Sequence, residues 1–220
     1  MNLIEKGIEH MQANELEEAA STFNQYIEEN PNDPVGFINF GNLLNHVGEY
    51  DKAKNFFNRA IEIDSKSGTA YYGLGVLYFE QEDYQQAARE FQSAVQYGLN
   101  DADVFYMLAV SLRNQQNEKL ALPYFQRASE LGKKDIEIQF QYGLSLAFNG
   151  QIDHALTQLM YVVELDEQHA DAHYNIAVCY LHKDLAQEAL TYFKKTLHIQ
   201  PDHMLAADGK IKVEEYLKEV

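Results

Sequence analysis

The residues able to do chemistry are scattered along the chain rather than gathered. His169 and His173 stand four apart, so on a helix they share one face, as two ligands of a metal would. No third ligand stands at a productive spacing. The eight histidines and 34 acidic residues form no HExxH, the serines form no GxSxG, and neither a glycine-rich phosphate loop nor a CxxC pair occurs. Ser111 and Ser145 lie in apolar stretches without a recognisable base. A boundary between structural units accounts for the two histidines more simply, so no catalysis, metal or cofactor is expected. The single cysteine, Cys179, permits no intramolecular disulfide, and between Val178 and Tyr180 it reads as a buried, inert thiol.

A different set of side chains does keep step. Tyr72, Tyr106, Phe140 and Tyr174 recur every 34 residues, preceded at the same interval by Ile38 and Ile4. One helical turn further on run Asn42, Val76, Val110, Leu144 and Val178. Tyrosine offers an apolar ring and a polar tip, which suits a contact surface; the same residues would equally cement neighbouring units. Asn39, Gln141 and Asn175 follow the first ladder by one residue and carry amides able to donate and accept, although Gly73 and Met107 interrupt the series. Asp103, Glu137 and Asp171 form an acidic ladder that fits either a basic ligand or the positive end of a helix dipole.

The elements that hold these residues follow from three further ladders at the same interval. Small residues fall at Gly7, Gly41, Gly75, Ala109, Gly143 and Ala177, alanines at Ala19, Ala53, Ala87, Ala121, Ala155 and Ala189, and large apolar residues at Phe23, Phe57, Phe91, Phe125, Leu159 and Phe193. A fixed period of this length means stacked repeats. Within each unit the apolar positions recur at i, i+3, i+4 and i+7, as in Phe37, Phe40, Gly41 and Leu44, which is one helix face. Each unit is therefore expected to be two antiparallel helices, with the small residue of the first admitting the large residue of the second. Asp33, Ser67, Asp101 and Asp135 suit helix N-caps, Gly98 and Gly132 suit C-caps, and Pro123 is expected in a first helical turn.

The 220 residues are 46% hydrophobic and 23% charged, as in ordinary folded proteins. Seventeen basic residues against 34 acidic ones give a formal charge of −17, which repels a phosphate backbone, so nucleic acid is not an expected ligand. A basic protein or peptide segment is favoured, with solubility alone as the other reading of the charge. The N-terminal stretch MNLIEKGIEHMQANELEE has no long apolar run and reads as neither signal peptide nor membrane anchor, so the protein is expected in the cytoplasm.

The ladders together resemble the tetratricopeptide repeat, with Pro31 and Pro201 keeping that family's proline near the end of a unit. Stretches such as LALPYFQRA and IQPDHMLA look most like its short stand-alone bacterial members of the YrrB type. The resemblance covers residues 1–203, with units at about 1–33, 34–67, 68–101, 102–135, 136–169 and 170–203; the small-residue signature stops there, and the residues over 204–220 read as a capping helix that completes one continuous domain. It implies an all-α, right-handed superhelix whose first helices line a concave groove for a peptide or protein partner, and it implies no catalysis. The groove residues it points to are Asn39, Asn42, Tyr72, Val76, Tyr106, Val110, Arg113, Phe140, Leu144, Tyr174, Asn175 and Val178, with Asp103, Glu137 and Asp171 as an acidic rim. Arg113 is the lone basic side chain near that track, so a clamp for a partner's terminal carboxylate is not expected. Scaffold or adaptor is the function implied. A regulatory peptide sensor and a self-associating assembly factor are the alternatives.

Overall fold

The computed structural model describes residues 2–219, and among them thirteen helices and no strand. The chain forms two compact units, Met1–Gln116 and Asn117–Val220. The first holds α1 (Leu3–Gln12), α2 (Leu16–Glu29), α3 (Pro34–His46), α4 (Tyr50–Ile63), α5 (Gly68–Glu80), α6 (Tyr84–Gln96) and α7 (Ala102–Asn114). The second holds α8 (Glu118–Leu131), α9 (Ile136–Phe148), α10 (Ile152–Leu165), α11 (Ala170–His182), α12 (Ala186–Ile199) and α13 (Met204–Glu219). Within each unit every helix packs on the next, and the odd-numbered helices also touch one another: α1 on α3, α3 on α5, α5 on α7, and α9 on α11.

The small-to-large ladder is the packing device. A Cβ added at Gly41 would lie 2.8 Å from the ring of Phe57, and one at Gly143 would lie 2.9 Å from Leu159. Either clash is too close for a real side chain, so these glycines let the helix pair close. Phe57 is pressed from a second side by Gly73 of the following α5, where an added Cβ would come within 2.3 Å. Its ring is fully buried, a burial that stabilises by about 1.5–3 kcal/mol. That gain offsets the roughly 1 kcal/mol that a glycine costs inside a helix.

α13 takes the place of a further first helix. Ala206 and Gly209 stand at the register of Ala70 and Gly73; Ala206 is fully buried, and Gly209 lies against the ring of Phe193 as Gly73 lies against Phe57. The face that would receive a second helix carries instead Lys210, Ile211 and Glu214, with Lys210 and Glu214 paired at 3.8 Å.

Turns and caps depart from expectation in instructive ways. The turn that follows each odd-numbered helix from α1 to α11 puts one residue in the left-handed region: Asn14, Gly48, Glu82, Gln116, Gly150 and Asp184, again 34 apart. Asp33, Asp101 and Asp135 accept backbone N–H groups as N-caps, each at 3.0 Å, whereas Ser67 occupies the cap position without a side-chain bond to the backbone. Gly98 follows the end of α6 with a positive φ, but Gly132 ends α8 with φ −94° and needs no glycine there. Pro123 is the sixth residue of α8, not part of its first turn, so the bond that residue 123 would donate to the carbonyl of Lys119 cannot form. Among the described residues no helix is long and apolar enough to cross a membrane.

Candidate functional site

In the first unit, α3 and α5 flank a cleft of about 710 Å³, with Met11 of α1 also in its lining. Asn39, Asn42, Tyr72 and Val76 line it together, joined by Val35, Thr69, Asn45, His46 and Glu80. Tyr72 is half-buried, its ring 5.5 Å from Phe91 of the core. It thus serves as cement and as cleft wall at once. Burial first, then the charges of Asp103 and Asp101, push its phenol above the usual tyrosine range.

The amides in this cleft present acceptors. Asn39 gives its N–H to the carbonyl of Val35 at 2.8 Å, and Asn45 gives its own to a carboxylate oxygen of Glu80 at 2.8 Å. The Oδ1 of Asn45 is buried without a hydrogen-bond partner among the described residues. An unmet acceptor of this kind costs on the order of 1–3 kcal/mol until a donor reaches it. Asn45 and Glu80 lie one turn beyond the ladder positions Asn42 and Val76; extending the same stripe along each helix would have found them.

The second unit has a smaller cleft, about 270 Å³, between α9 and α11. Leu144, Tyr174, Asn175 and Val178 line it with Ala147, Phe148, Ile152, Cys179 and His182. Phe148 is 71% exposed, the most exposed aromatic side chain among the large exposed hydrophobics. The ring of Tyr174 lies 4.9 Å from that of His203 and 5.9 Å from that of Phe193. Asn175, like Asn39, returns its N–H to a carbonyl one turn back, that of Asp171 at 2.8 Å. Burial raises the Cys179 thiol to about 11, so it stays protonated and unreactive.

The remaining candidates take other places. Phe140 is buried, only 7% exposed, with the ring of His169 at 4.6 Å, and Val110 is 9% exposed; neither offers much surface. Tyr106 and Arg113 on α7 are half-buried and line neither cleft. Asp103, Glu137 and Asp171 are all exposed in the first turns of their helices. Glu137 accepts from Gln141 at 2.7 Å, and Asp171 lies 3.3 Å from Nε2 of His203. His169 and His173 do not converge on a common point: Nδ1 of His169 caps α11 by accepting from Ala172, and Nε2 of His173 meets the carbonyl of Glu167. Among the described residues no group of three or more His, Cys, Asp or Glu is placed to hold a metal.

Profiles of the tetratricopeptide repeat match residues 36–97, 72–136 and 141–203. The crystal structure of YrrB, described as a TPR protein with an unusual peptide-binding site, is 46% identical over 87% of this chain and 98% of its own, with a TM-score of 0.83. The chain belongs to the tetratricopeptide-repeat family. Its likeness to PilF of Pseudomonas aeruginosa, at 16% identity, a TM-score of 0.78 and 96% coverage of both chains, shows the shared fold. So does that to a chain of the APC/C hetero-tetramer Cut9–Hcn1, at 23% identity over 96% of this chain and 42% of the other, with a TM-score of 0.66. No curated protein sequence matches. As a tetratricopeptide protein of the YrrB type, the chain is built as an interaction scaffold.

Proposed function

We propose that the protein is a non-catalytic adaptor of the cytoplasm that holds an extended peptide or protein segment in the clefts between consecutive first helices. The observation that carries this reading is the α3–α5 cleft, where the amides of Asn39 and Asn42 and a half-buried tyrosine line one surface. Such a wall suits a segment that supplies backbone N–H donors and apolar side chains. The acidic charge favours a segment that is also basic. The likeness to YrrB, itself described as having a peptide-binding site, supports the same reading.

The test is to select binders from a displayed peptide library and measure the best sequence by calorimetry against the wild type and Tyr72→Ala. Loss of a central aromatic anchor is expected to cost about 2 kcal/mol or more. Unchanged affinity in a variant with native helicity and melting would remove the cleft assignment. A second reading, self-association, draws on α13, whose Leu205, Ile211 and Tyr216 are each more than half exposed. Sedimentation of the free protein over a hundredfold concentration range separates the two.

A further inference from the structure

The α3–α5 cleft changes character along its length. Its lining runs from Val35 to His46 on α3 and from Thr69 to Glu80 on α5, so its long axis follows the two helices over roughly 16 Å, at about 1.5 Å per residue. Ile38, Tyr72 and Val76 make the middle apolar. The far end is polar: Asn45, the last residue but one of α3, donates from Nδ2 to Oε2 of Glu80, the last residue of α5, at 2.8 Å. Asn45 is only 7% exposed, so its amide serves the carboxylate and not a ligand. Glu80 is exposed, and its Oε1 has no hydrogen-bond or ion-pair partner among the described residues. A buried amide thus fixes a carboxylate at the end of the cleft and leaves half of it open.

Packing does not ask for this pair. At the same two registers α1 and α3 carry Met11 and His46, α5 and α7 carry Phe79 and Asn114, and α9 and α11 carry Ala147 and His182, none of them an amide with an acid. The surroundings favour a positive charge. Two helices end side by side here, each presenting the negative end of its dipole. α5 has no basic residue in its last turn, and no lysine or arginine is among the described residues that line the cleft; His46 is the remaining titratable group there besides Glu80 and Tyr72. The acid and the two dipoles act with one sign, and no fixed cation opposes them. Tyr72 and Glu80 are eight residues apart on α5, about 12 Å along its axis. Four residues of an extended chain cover about 13 Å and return a side chain to the same face.

We propose that this end of the cleft is a cation subsite: Glu80, held by Asn45, takes the lysine or arginine of a bound segment whose apolar side chain, four residues away, lies against Tyr72. Glu80 determines specificity, and Asn45 is its positioning residue. This subsite rests on the reading of the α3–α5 cleft as a peptide site and adds to it the charge and register of the segment.

The experiment selects one displayed library of random nonapeptides in parallel on the full chain, on Tyr72→Ala and on Glu80→Gln, a change at an exposed position that removes the charge and keeps an oxygen for Asn45. The wild-type pool should enrich lysine or arginine four residues from an aromatic or aliphatic anchor, and the Glu80→Gln pool should keep the anchor and lose the basic preference. In calorimetry the best wild-type peptide should bind Glu80→Gln about three- to fivefold more weakly, the range of a solvent-exposed ion pair. Replacing its basic residue by norleucine should cost the same, and the two changes together no more. Asn45→Ala should weaken the basic peptide and spare the norleucine peptide, which a general loss of packing would not do; should that variant fail to fold, Glu80→Gln and norleucine still decide. Glu62→Gln on α4 removes an equal charge outside the cleft and should change little. Tyr72-dependent peptides without a basic preference, additive losses in the double change, or an equal loss in Glu62→Gln overturn the subsite and leave the peptide cleft standing. Should no pool contain a Tyr72-dependent peptide, the cleft assignment falls and the subsite with it.

Discussion

The two units build the same helix pair but finish it with different side chains. In the first, helices are capped by Asn2, Asp33, Asp83 and Asp101, and the cleft between first helices is rich in amides. In the second, Asp135 caps α9, but imidazole nitrogens of His169 and His203 cap α11 and α13, and the corresponding cleft is lined mainly by Leu144, Ala147, Phe148, Ile152 and Val178. The repeat thus constrains the small and large residues that close each pair and leaves cap chemistry and cleft lining free to diverge. Under the proposed function, one unit would hold a peptide backbone and the other apolar side chains.

The largest effects should come from the shared device, and they should still differ between units. Phe57 is enclosed by Gly41 and Gly73, whereas Leu159 faces Gly143 alone, with Asn175 at the register of Gly73. Phe57→Ala leaves a void bordered by two residues with no side chain to fill it, and is expected to cost about 3–5 kcal/mol. Leu159→Ala should cost less, toward the lower end of about 2–5 kcal/mol. Urea unfolding followed by residue-resolved hydrogen exchange assigns each loss to its unit. Equal losses would mean that the second glycine is irrelevant.

A smaller effect separates the clefts. If amide oxygens of the first cleft accept from a peptide backbone, methylating one backbone nitrogen of a selected peptide should weaken it there by roughly 1 kcal/mol. A peptide whose binding depends on Tyr174 instead of Tyr72 should lose almost nothing, because its contacts would be apolar. Equal sensitivity would erase the distinction between the two linings.

Much of this could be read before any coordinates. The pairing of Gly41 with Phe57 and of Gly143 with Leu159 was legible because close approach demands particular residue types at fixed positions. Asn39, Asn42, Tyr72 and Val76 were legible as one stripe for the same reason. The left-handed turn position was not, because backbone bonds impose it on whatever residue stands there: Glu82 donates to Phe79 at 3.0 Å and Asp184 to Leu181 at 3.0 Å, as Gly48 does to Asn45. Nor were the histidine caps, since His169 and His203 replace Asp at its register without resembling it. Phe140 misled because its ladder partners Tyr72 and Tyr174 are only half-buried, and the ring of His169 covers it.

Acid should act on the second unit and spare the first. The group that carries this is His173 of α11: its folded-state pKa is depressed, chiefly by burial, so the stability it contributes is present above the ordinary histidine value of 6.5 and is lost as pH falls below it. Exchange protection of α11 should therefore fall as pH drops below about 6.5, while that of α3 and α5 holds. His173→Gln should remove most of the dependence. Parallel loss in both units would show that acid acts through something other than this imidazole.

The smallest expected effect tests the acidic rim. Asp103 is exposed at the start of α7, where a carboxylate favours the helix dipole whether or not a ligand is near. Its charge, after burial, helps to raise the phenol of Tyr72 in the first cleft. Asp103→Asn should leave melting nearly unchanged and weaken a basic peptide selected on that cleft by a few tenths of a kcal/mol, as solvent-screened pairs do. The same peptide should bind less tightly as salt rises from about 0.05 to 0.5 M, since the screening length shortens across that range. Asp171, 3.3 Å from His203, has a partner of its own, so Asp171→Asn should change binding still less and α13 protection more. A salt-independent affinity would confine all three acids to their helix ends and leave the amides and Tyr72 to select the partner.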